Sequence, residues 1–357
     1  MRLLLFTTKP YSGSILRPIQ AAAEERGHEV AWYWIGAADR PREQEVWLSS
    51  PATAIRWKPE AVLAPGNWLP HFFPGLKVGL FHGFCVDKRP GKSKSSTHDC
   101  HPTQRDREHF RIRGLFDLYC TQGPDTTQPF QQLAQEHGNF RVRETGWSKL
   151  DPLFQVGAPS ISRSMDRPCI MFGSTFTPSL SAAPLVLDEI ARLSRTGEWQ
   201  WLVTLHPKLP KELVRKYRAL EGPNLRFIET HEVMSALAAA DVLLSDSSSI
   251  VAEFLVQIRP VVTLRTATKA EHLIDVEQVA DVEAAIRQAL NPSAALLERI
   301  RQYSDRIHPY RDGCSSTRVL DAVEECVELG RTGLGRRSLI PLRRFKNRRR
   351  MNYWAWR

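Results

Sequence analysis

Short apolar runs alternate with amphipathic stretches along most of the chain. "RLLLFTT" (2–8), "EVAWYWIG" (29–36), "AVLAPG" (61–66), "KVGLFHG" (77–83) and "LYCTQG" (118–123) are largely apolar runs, most of them closed by Gly or a polar turn, and "FRVRETG" (140–146) would return to the sheet. Runs of that length bounded by turn residues predict strands buried on both faces, the signature of a parallel sheet. "SILRPIQAAAEERGH" (14–28) and "TTQPFQQLAQEHG" (126–138) repeat their apolar positions at helical spacing, and Gly138 is placed to cap the second. After a Ser-, Pro- and Gly-rich break at 156–168 the alternation resumes. Predicted strands are "CIMFGST", "WQWLVTLHP", "NLRFIET", "DVLLSD" and "RPVVTLR". They are separated by the helical patterns "APLVLDEIARLSRTG", "KELVRKYRALEG", "EVMSALAAA" and "IVAEFLVQ", and "VEAAIRQAL" and "TRVLDAVEECVEL" follow.

This pattern predicts an α/β protein of two Rossmann-like domains facing a cleft. The expected boundaries are an N-terminal domain at 1–155, a linker at 156–168, a C-terminal domain at 169–330 and a tail at 331–357. In doubly wound sheets ligands bind beyond the carboxyl ends of the strands, so polar residues just after each strand are the candidates for chemistry.

Composition narrows the class. The 357 residues are 42% hydrophobic and 25% charged, values of a globular chain long enough for two cores. No apolar run approaches the ~18 residues of a membrane-spanning helix. "MRLLLFTT" is too short in its apolar part for a secretory signal and reads as a first strand, so the expected location is cytoplasmic. The six cysteines form no C-x-x-C pair, and His98, Cys100 and His101 of "HDCH" lack a second ligand cluster, so neither a metal nor a disulfide framework is expected. Residues 331–357 hold nine Arg, one Lys and no acid, which is the whole net charge of +10. The body of the chain is therefore charge-balanced, and without a nucleic-acid motif it is not expected to bind nucleic acid. In the tail, Arg343, Arg344, Arg348, Arg349, Arg350, Trp354 and Trp356, with Phe345 and Tyr353, have the composition of an anchor on an anionic membrane surface.

Two histidines follow strands: His82 before Gly83, and His206 before Pro207 and Lys208. At such rims an imidazole can exchange a proton near neutral pH, and Lys208 adds a cation for a phosphate. Gly173, Ser174 and Thr175 follow "CIMF", where a small residue and hydroxyls would let a ligand approach the backbone. "SDSSSIVAEFL" (245–255) puts Asp246, Ser247, Ser248 and Ser249 at a strand-to-helix turn. One such residue caps a helix, and the remaining hydroxyls suit a diphosphate at the helix N-terminus. Asp246 would repel phosphate, so its expected role is to hold the turn. No G-x-G-x-x-G follows the first strand and no D-x-D occurs, which argues against a dinucleotide dehydrogenase and against a metal-diphosphate transferase.

A chain of motifs then resembles the CDP-glycerol:poly(glycerophosphate) glycerophosphotransferase family, the teichoic-acid polymerases and primases. The motifs are "FHGF" (81–84), "TGWSKLDPLF" (145–154), "IMFGSTF" (170–176), "TLHPK" (204–208), "DVLLSDSSSIVAEF" (241–254) and "YRDGCSSTRV" (310–319). Phe84, Thr204, Ser247 and Glu253 depart from the residues usual at those positions. The resemblance implies a GT-B fold and a CDP-linked donor, CDP-glycerol or another cytidine nucleotide, held mainly by the second domain. It implies His82 as general base on the acceptor hydroxyl and His206 steadying the donor phosphate or leaving CMP. Ser248 and Ser249 would bind the diphosphate, with Arg311 and Asp312 nearby. The expected reaction moves a glycerol-phosphate-like group to a hydroxyl of a cell-surface polymer or lipid-linked precursor, at the cytoplasmic face of the membrane. The alternatives are a GT-B sugar transferase using a CMP- or UDP-linked donor and a non-enzymatic polyanion-binding protein.

Overall fold

A computed structural model of the chain describes residues 1–36, 42, 44–84, 108–155, 161, 163, 166–266, 269–337 and 341–354. They form two compact units: one holds the described residues up to 84, residues 108–151 and everything described from 312 onward, and the other holds 152–311.

The first unit is built on a parallel sheet. Its strands are β1 (Arg2–Thr7), β2 (Glu29–Trp34), β3 (Ala61–Pro65), β4 (Leu76–Leu80), β5 (Leu118–Thr121) and β6 (Arg141–Glu144), in the order β2-β1-β3-β4-β5-β6. Helices α1 (Gly13–Glu25), α2 (Pro51–Trp57) and α3 (Pro124–His137) connect them. Gly138 ends α3 in the left-handed region at φ 63°, as its position predicts. Burial explains the continuous apolar runs: β3, β4 and β5 are buried at every residue.

The second unit repeats the plan. Strands β7 (Cys169–Ser174), β8 (Gln200–Leu205), β9 (Leu225–Phe227), β10 (Val242–Ser245), β11 (Val261–Leu264) and β12 (Ile274–Val276) lie in the order β12-β11-β10-β7-β8-β9. Helices α4 (Ala183–Thr196), α5 (Lys211–Arg218), α6 (Val233–Ala239), α7 (Ile250–Leu255), α8 (Val282–Leu290) and α9 (Ala294–Ile307) accompany them. Alternate residues serve opposite faces. Ile170, Phe172, Val242 and Leu244 pack with Val186 of α4, Tyr217 and Ile286, whereas Cys169, Met171 and Leu243 pack with Leu237, Phe254 and Ile300.

The expected domain boundaries need correction at the carboxyl end. Helix α10 (Ser315–Leu329) was expected to close the second domain, but it packs on α1, β4 and β5 of the first unit. A long-range clasp holds its start there: the buried carboxylate of Asp151 accepts the backbone N–H of Ser315 (2.9 Å) and Ser316 (2.7 Å) and the Ser316 hydroxyl (2.5 Å). It thereby takes up orphan donors at the start of α10.

The basic tail is likewise part of the first unit. Arg331 and Arg337 both pair with the buried carboxylate of Asp117. Helix α11 (Pro341–Met351) follows, with Asn347 and Met351 buried. Asn347 accepts from the Trp68 indole and donates to the Leu69 carbonyl, and Tyr353 stacks on Phe72 at 5.0 Å. Most of the expected linker, 156–160, 162, 164 and 165, lies outside the described residues, as do the "HDCH" cluster and Trp356.

Candidate active site

The order of the second sheet marks where a ligand would be held. The chain winds outward from β7 through β8 and β9, returns to the other side of β7, and continues through β10 to β12. The switch point lies between β7 and β10, where a crevice opens beyond the carboxyl ends of adjacent strands. Ser174 and Thr175 stand at the end of β7, Asp246 to Ser249 follow β10, and His206 follows β8.

Asp246 is buried and holds this rim together. Its carboxylate accepts from the Ser174 hydroxyl (2.5 Å), the Thr175 amide (3.0 Å) and the Ala182 amide (2.9 Å). Ser174 in turn lies 2.8 Å from the Ser181 hydroxyl. The carboxylate ties the loop after β7 to the start of α4. Burial raises its pKa above the ordinary value, against the opposing pull of its hydrogen bonds. Gly173 serves close packing: a Cβ there would sit 3.2 Å from Ile250 and 3.6 Å from Thr204.

Ser247, Ser248 and Ser249 are half-buried in the turn before α7. That helix has only six residues, and its N-cap Ser249 makes no side-chain cap hydrogen bond. The turn therefore offers hydroxyls and backbone amides more than a helix dipole.

His206 has an assignable tautomer. The Lys208 backbone N–H donates to His206 Nδ1 at 3.1 Å, so in the neutral ring Nε2 carries the hydrogen. The imidazole packs against Phe176 with ring centroids 4.4 Å apart, and Lys208 Nζ stands 4.9 Å from the Phe176 centroid. Phe176 is 40% exposed. Sequence reasoning passed over it; its signal is an aromatic residue in a polar loop directly after a strand. Arg311 donates to the Val256 carbonyl (3.1 Å) and pairs with Asp305 (2.6 Å), both in the second unit. Asp312 belongs to the first unit, accepts from the Cys314 amide (3.0 Å) and is held below the usual carboxylate range by Arg318.

In the first unit His82 is exposed just beyond β4. Its ring faces Tyr11, which precedes α1, at 5.7 Å. Phe84 meets the edge of Trp147 at 5.0 Å, and the Trp147 indole donates to the Phe81 carbonyl at 2.9 Å, fixing the exit of the strand. Burial raises the Tyr11 phenol. Among the described residues no group of three His, Cys, Asp or Glu is placed to hold a metal.

Of the tail residues, Arg343 donates to the Arg113 carbonyl, Arg348 lies over Phe72 and Arg350 over Trp68. Arg344 and Arg349 are exposed, and Trp354 contacts Phe345 at 5.4 Å. No helix among the described residues is long and apolar enough to cross a membrane.

Comparison with known proteins bears on this geometry. The chain is 23% identical over 193 residues to the teichoic acid glycerol-phosphate primase of Bacillus subtilis (strain 168). The match covers 50% of this chain and 49% of the relative, so it spans about half of that protein's length. The solved wall teichoic acid polymerase TagF superposes with a TM-score of 0.64 at 13% identity, covering 91% of this chain and 89% of that one. The resemblance read from the motifs holds in sequence and in fold. The same α/β architecture extends to another group: the Staphylococcus aureus MnaA–UDP structure superposes with a TM-score of 0.59 at 16% identity, over 92% of this chain and 97% of that one. A family model for UDP-N-acetylglucosamine 2-epimerase matches residues 181–324.

Proposed function

We propose that the protein is a transferase that moves a glycerol-phosphate-like group from a CDP-linked donor to a hydroxyl of a cell-envelope polymer or its lipid-linked precursor. The observation that carries this reading is the placement, along the carboxyl-end rim of the second sheet, of a hydroxyl-rich turn after β10 and, after β8, a histidine whose Nε2 bears hydrogen. Ser247, Ser248 and Ser249 supply donors to the diphosphate, with Lys208 as the nearby cation. His206 donates through Nε2 to a phosphate oxygen of the donor or of departing CMP. That tautomer makes it a donor and leaves the basic role to His82.

The steps follow. His82 takes the proton of the acceptor hydroxyl, and the oxygen forms a bond to the phosphorus that carries glycerol. The bond from that phosphorus to the bridging oxygen breaks, and CMP leaves with the bridging oxygen. The His82 proton then passes to solvent. Positioning and preorganised donors supply the remaining acceleration. Phe176, exposed beside His206, buttresses that imidazole. The exposed face of α11, with Leu342 and Phe345 among Arg344, Lys346 and Arg349, and Trp354 just after the helix, would rest on an anionic membrane surface.

The test is CMP release from CDP-glycerol in the presence of a glycerol-phosphate oligomer. His82→Ala should lower it by about 10²- to 10⁴-fold. Wild-type protein that releases no CMP with this acceptor would remove the reading.

The 2-epimerase family match over 181–324 favours a second reading, a UDP-linked sugar as substrate of the same rim. CDP and UDP should separate the two: the nucleotide that belongs to the site raises the melting temperature at a concentration where the other does not.

A further inference from the structure

Gln122 follows β5 and is 1% exposed, yet among the described residues neither its side-chain oxygen nor its nitrogen has a hydrogen-bond partner. The hydroxyls of Thr121, Thr127 and Thr145, close to it in the chain or on the adjoining strand, are engaged elsewhere. The Thr121 and Thr127 hydroxyls lie 2.7 Å apart, Thr127 also reaches Glu144 (2.6 Å) and the Gly123 carbonyl (2.9 Å), and Thr145 donates to the Gly146 carbonyl (3.0 Å). The Gln122 backbone N–H has the Thr126 hydroxyl at 3.3 Å, so the turn does not depend on the amide side chain. A buried amide with neither function paired is costly, and an apolar residue of similar size would avoid that cost.

Gln122 and His82 follow neighbouring strands of the sheet. Strands β4 and β5 pair Val78 with Leu118 and Gly79 with Tyr119. Continued three residues past the paired segment, beyond the ends of both strands, that register sets His82 opposite Gln122. Alternation gives both the same side of the sheet. Gly79 is tight against the Tyr119 ring, and Phe81 and Tyr119 both pack on Phe130 of α3. Val78, Leu80 and His82, with Leu118, Cys120 and Gln122, therefore take the other side, where α1 and α10 lie. The His82 ring meets Tyr11, just ahead of α1, on that side.

We propose that Gln122 is an acceptor-binding residue whose amide hydrogen-bonds a hydroxyl neighbouring the one that His82 deprotonates. This rests on the reading of His82 as the acceptor base. The chemistry of the amide selects the ligand. Its nitrogen donates and its oxygen accepts, so full satisfaction requires a group that does both. A phosphate oxygen only accepts. An alcohol with adjacent hydroxyls, a polyol terminus, meets both needs.

The experiment compares wild-type protein with Gln122→Leu, using CDP-glycerol and two acceptors. One is a glycerol-phosphate oligomer, and the other is the same oligomer ended by a propane-1,3-diol unit, which lacks the middle hydroxyl. Wild-type protein should use the deoxy acceptor at least tenfold less well in kcat/KM. Gln122→Leu should raise KM for the full acceptor by a similar factor and should no longer distinguish the two. Its melting temperature should equal or exceed that of wild type, and the shift caused by CDP should be unchanged. A variant that discriminates between the acceptors as wild type does overturns the inference and leaves the His82 reading in place. So does a variant with wild-type KM. CMP release that is absent from wild-type protein, or that survives His82→Ala, removes the parent reading and this inference with it.

Discussion

At the scale of single residues, buried Asp246 does the holding and the half-buried serines after it are left for the proposed chemistry. Asp246 accepts three donors from the loop after β7 and the start of α4. Replacing it by Ala leaves those buried donors without a partner, each costing about 1–3 kcal/mol. Asp246→Ala should therefore unfold the second unit at a melting temperature lower by roughly 5 °C or more. Ser248→Ala and Ser249→Ala should leave the melting temperature within about 1 °C and weaken the stabilisation by CDP. Calorimetry with and without CDP reads both effects. An Asp246→Ala protein as stable as wild type would show that the carboxylate is not the holding element. The split was partly legible in the sequence, because a carboxylate repels phosphate and so belongs to the scaffold. Its partners were not legible, since Ser174 and Ala182 lie more than sixty residues away. A Cβ at Gly173 would press on Ile250, a packing demand that the local sequence does not show.

At the scale of elements, the apolar runs predict the strands well because most are buried on both faces, and pattern alone reports burial. Strand β12 escaped because its three residues are only half-buried. Helix α10 was legible as a helix, but its address was not. The clasp that holds its start joins Asp151 to Ser315 across 164 positions, which no local periodicity records. Helix α11 makes a further case. His71 lies 3.4 Å from the Asn347 side-chain amide, so the neutral ring can accept from it. Burial first, and then the charges of Arg348, Arg344, Lys77 and Arg337, push this imidazole down to about 4. Unfolded, it titrates near ~6.5. Because the folded value is depressed, the unfolded chain takes up a proton that the folded chain refuses. The contribution to stability is present above about pH 6.5 and is lost as pH falls towards 4. His71→Gln, which keeps an acceptor but does not titrate, should flatten the fall in melting temperature between pH 6.5 and 4.5 relative to wild type. Parallel curves would show that His71 is not coupled to folding.

At the scale of the whole molecule, the basic segment is a structural part of the first unit that also presents a surface. Removing residues 331–357 would strip Arg331 and Arg337 from the buried Asp117 and uncover the Trp68–Phe72 region beneath Asn347 and Tyr353. That truncation should destabilise the first unit, so it cannot report on membrane contact alone. Leu342, Phe345 and Trp354 are 58%, 51% and 41% exposed, and surface substitutions of this kind usually change stability by less than about 0.5 kcal/mol. Changing all three to Ser should keep the melting temperature and abolish sedimentation with phosphatidylglycerol vesicles. Wild-type binding should also weaken as salt rises, because Arg344, Lys346 and Arg349 are exposed and their attraction to lipid is screened over ~10 Å at 0.1 M. If the triple variant still sediments with the vesicles, the face of α11 is not the contact. If wild-type binding ignores salt, the arginines take no part in it.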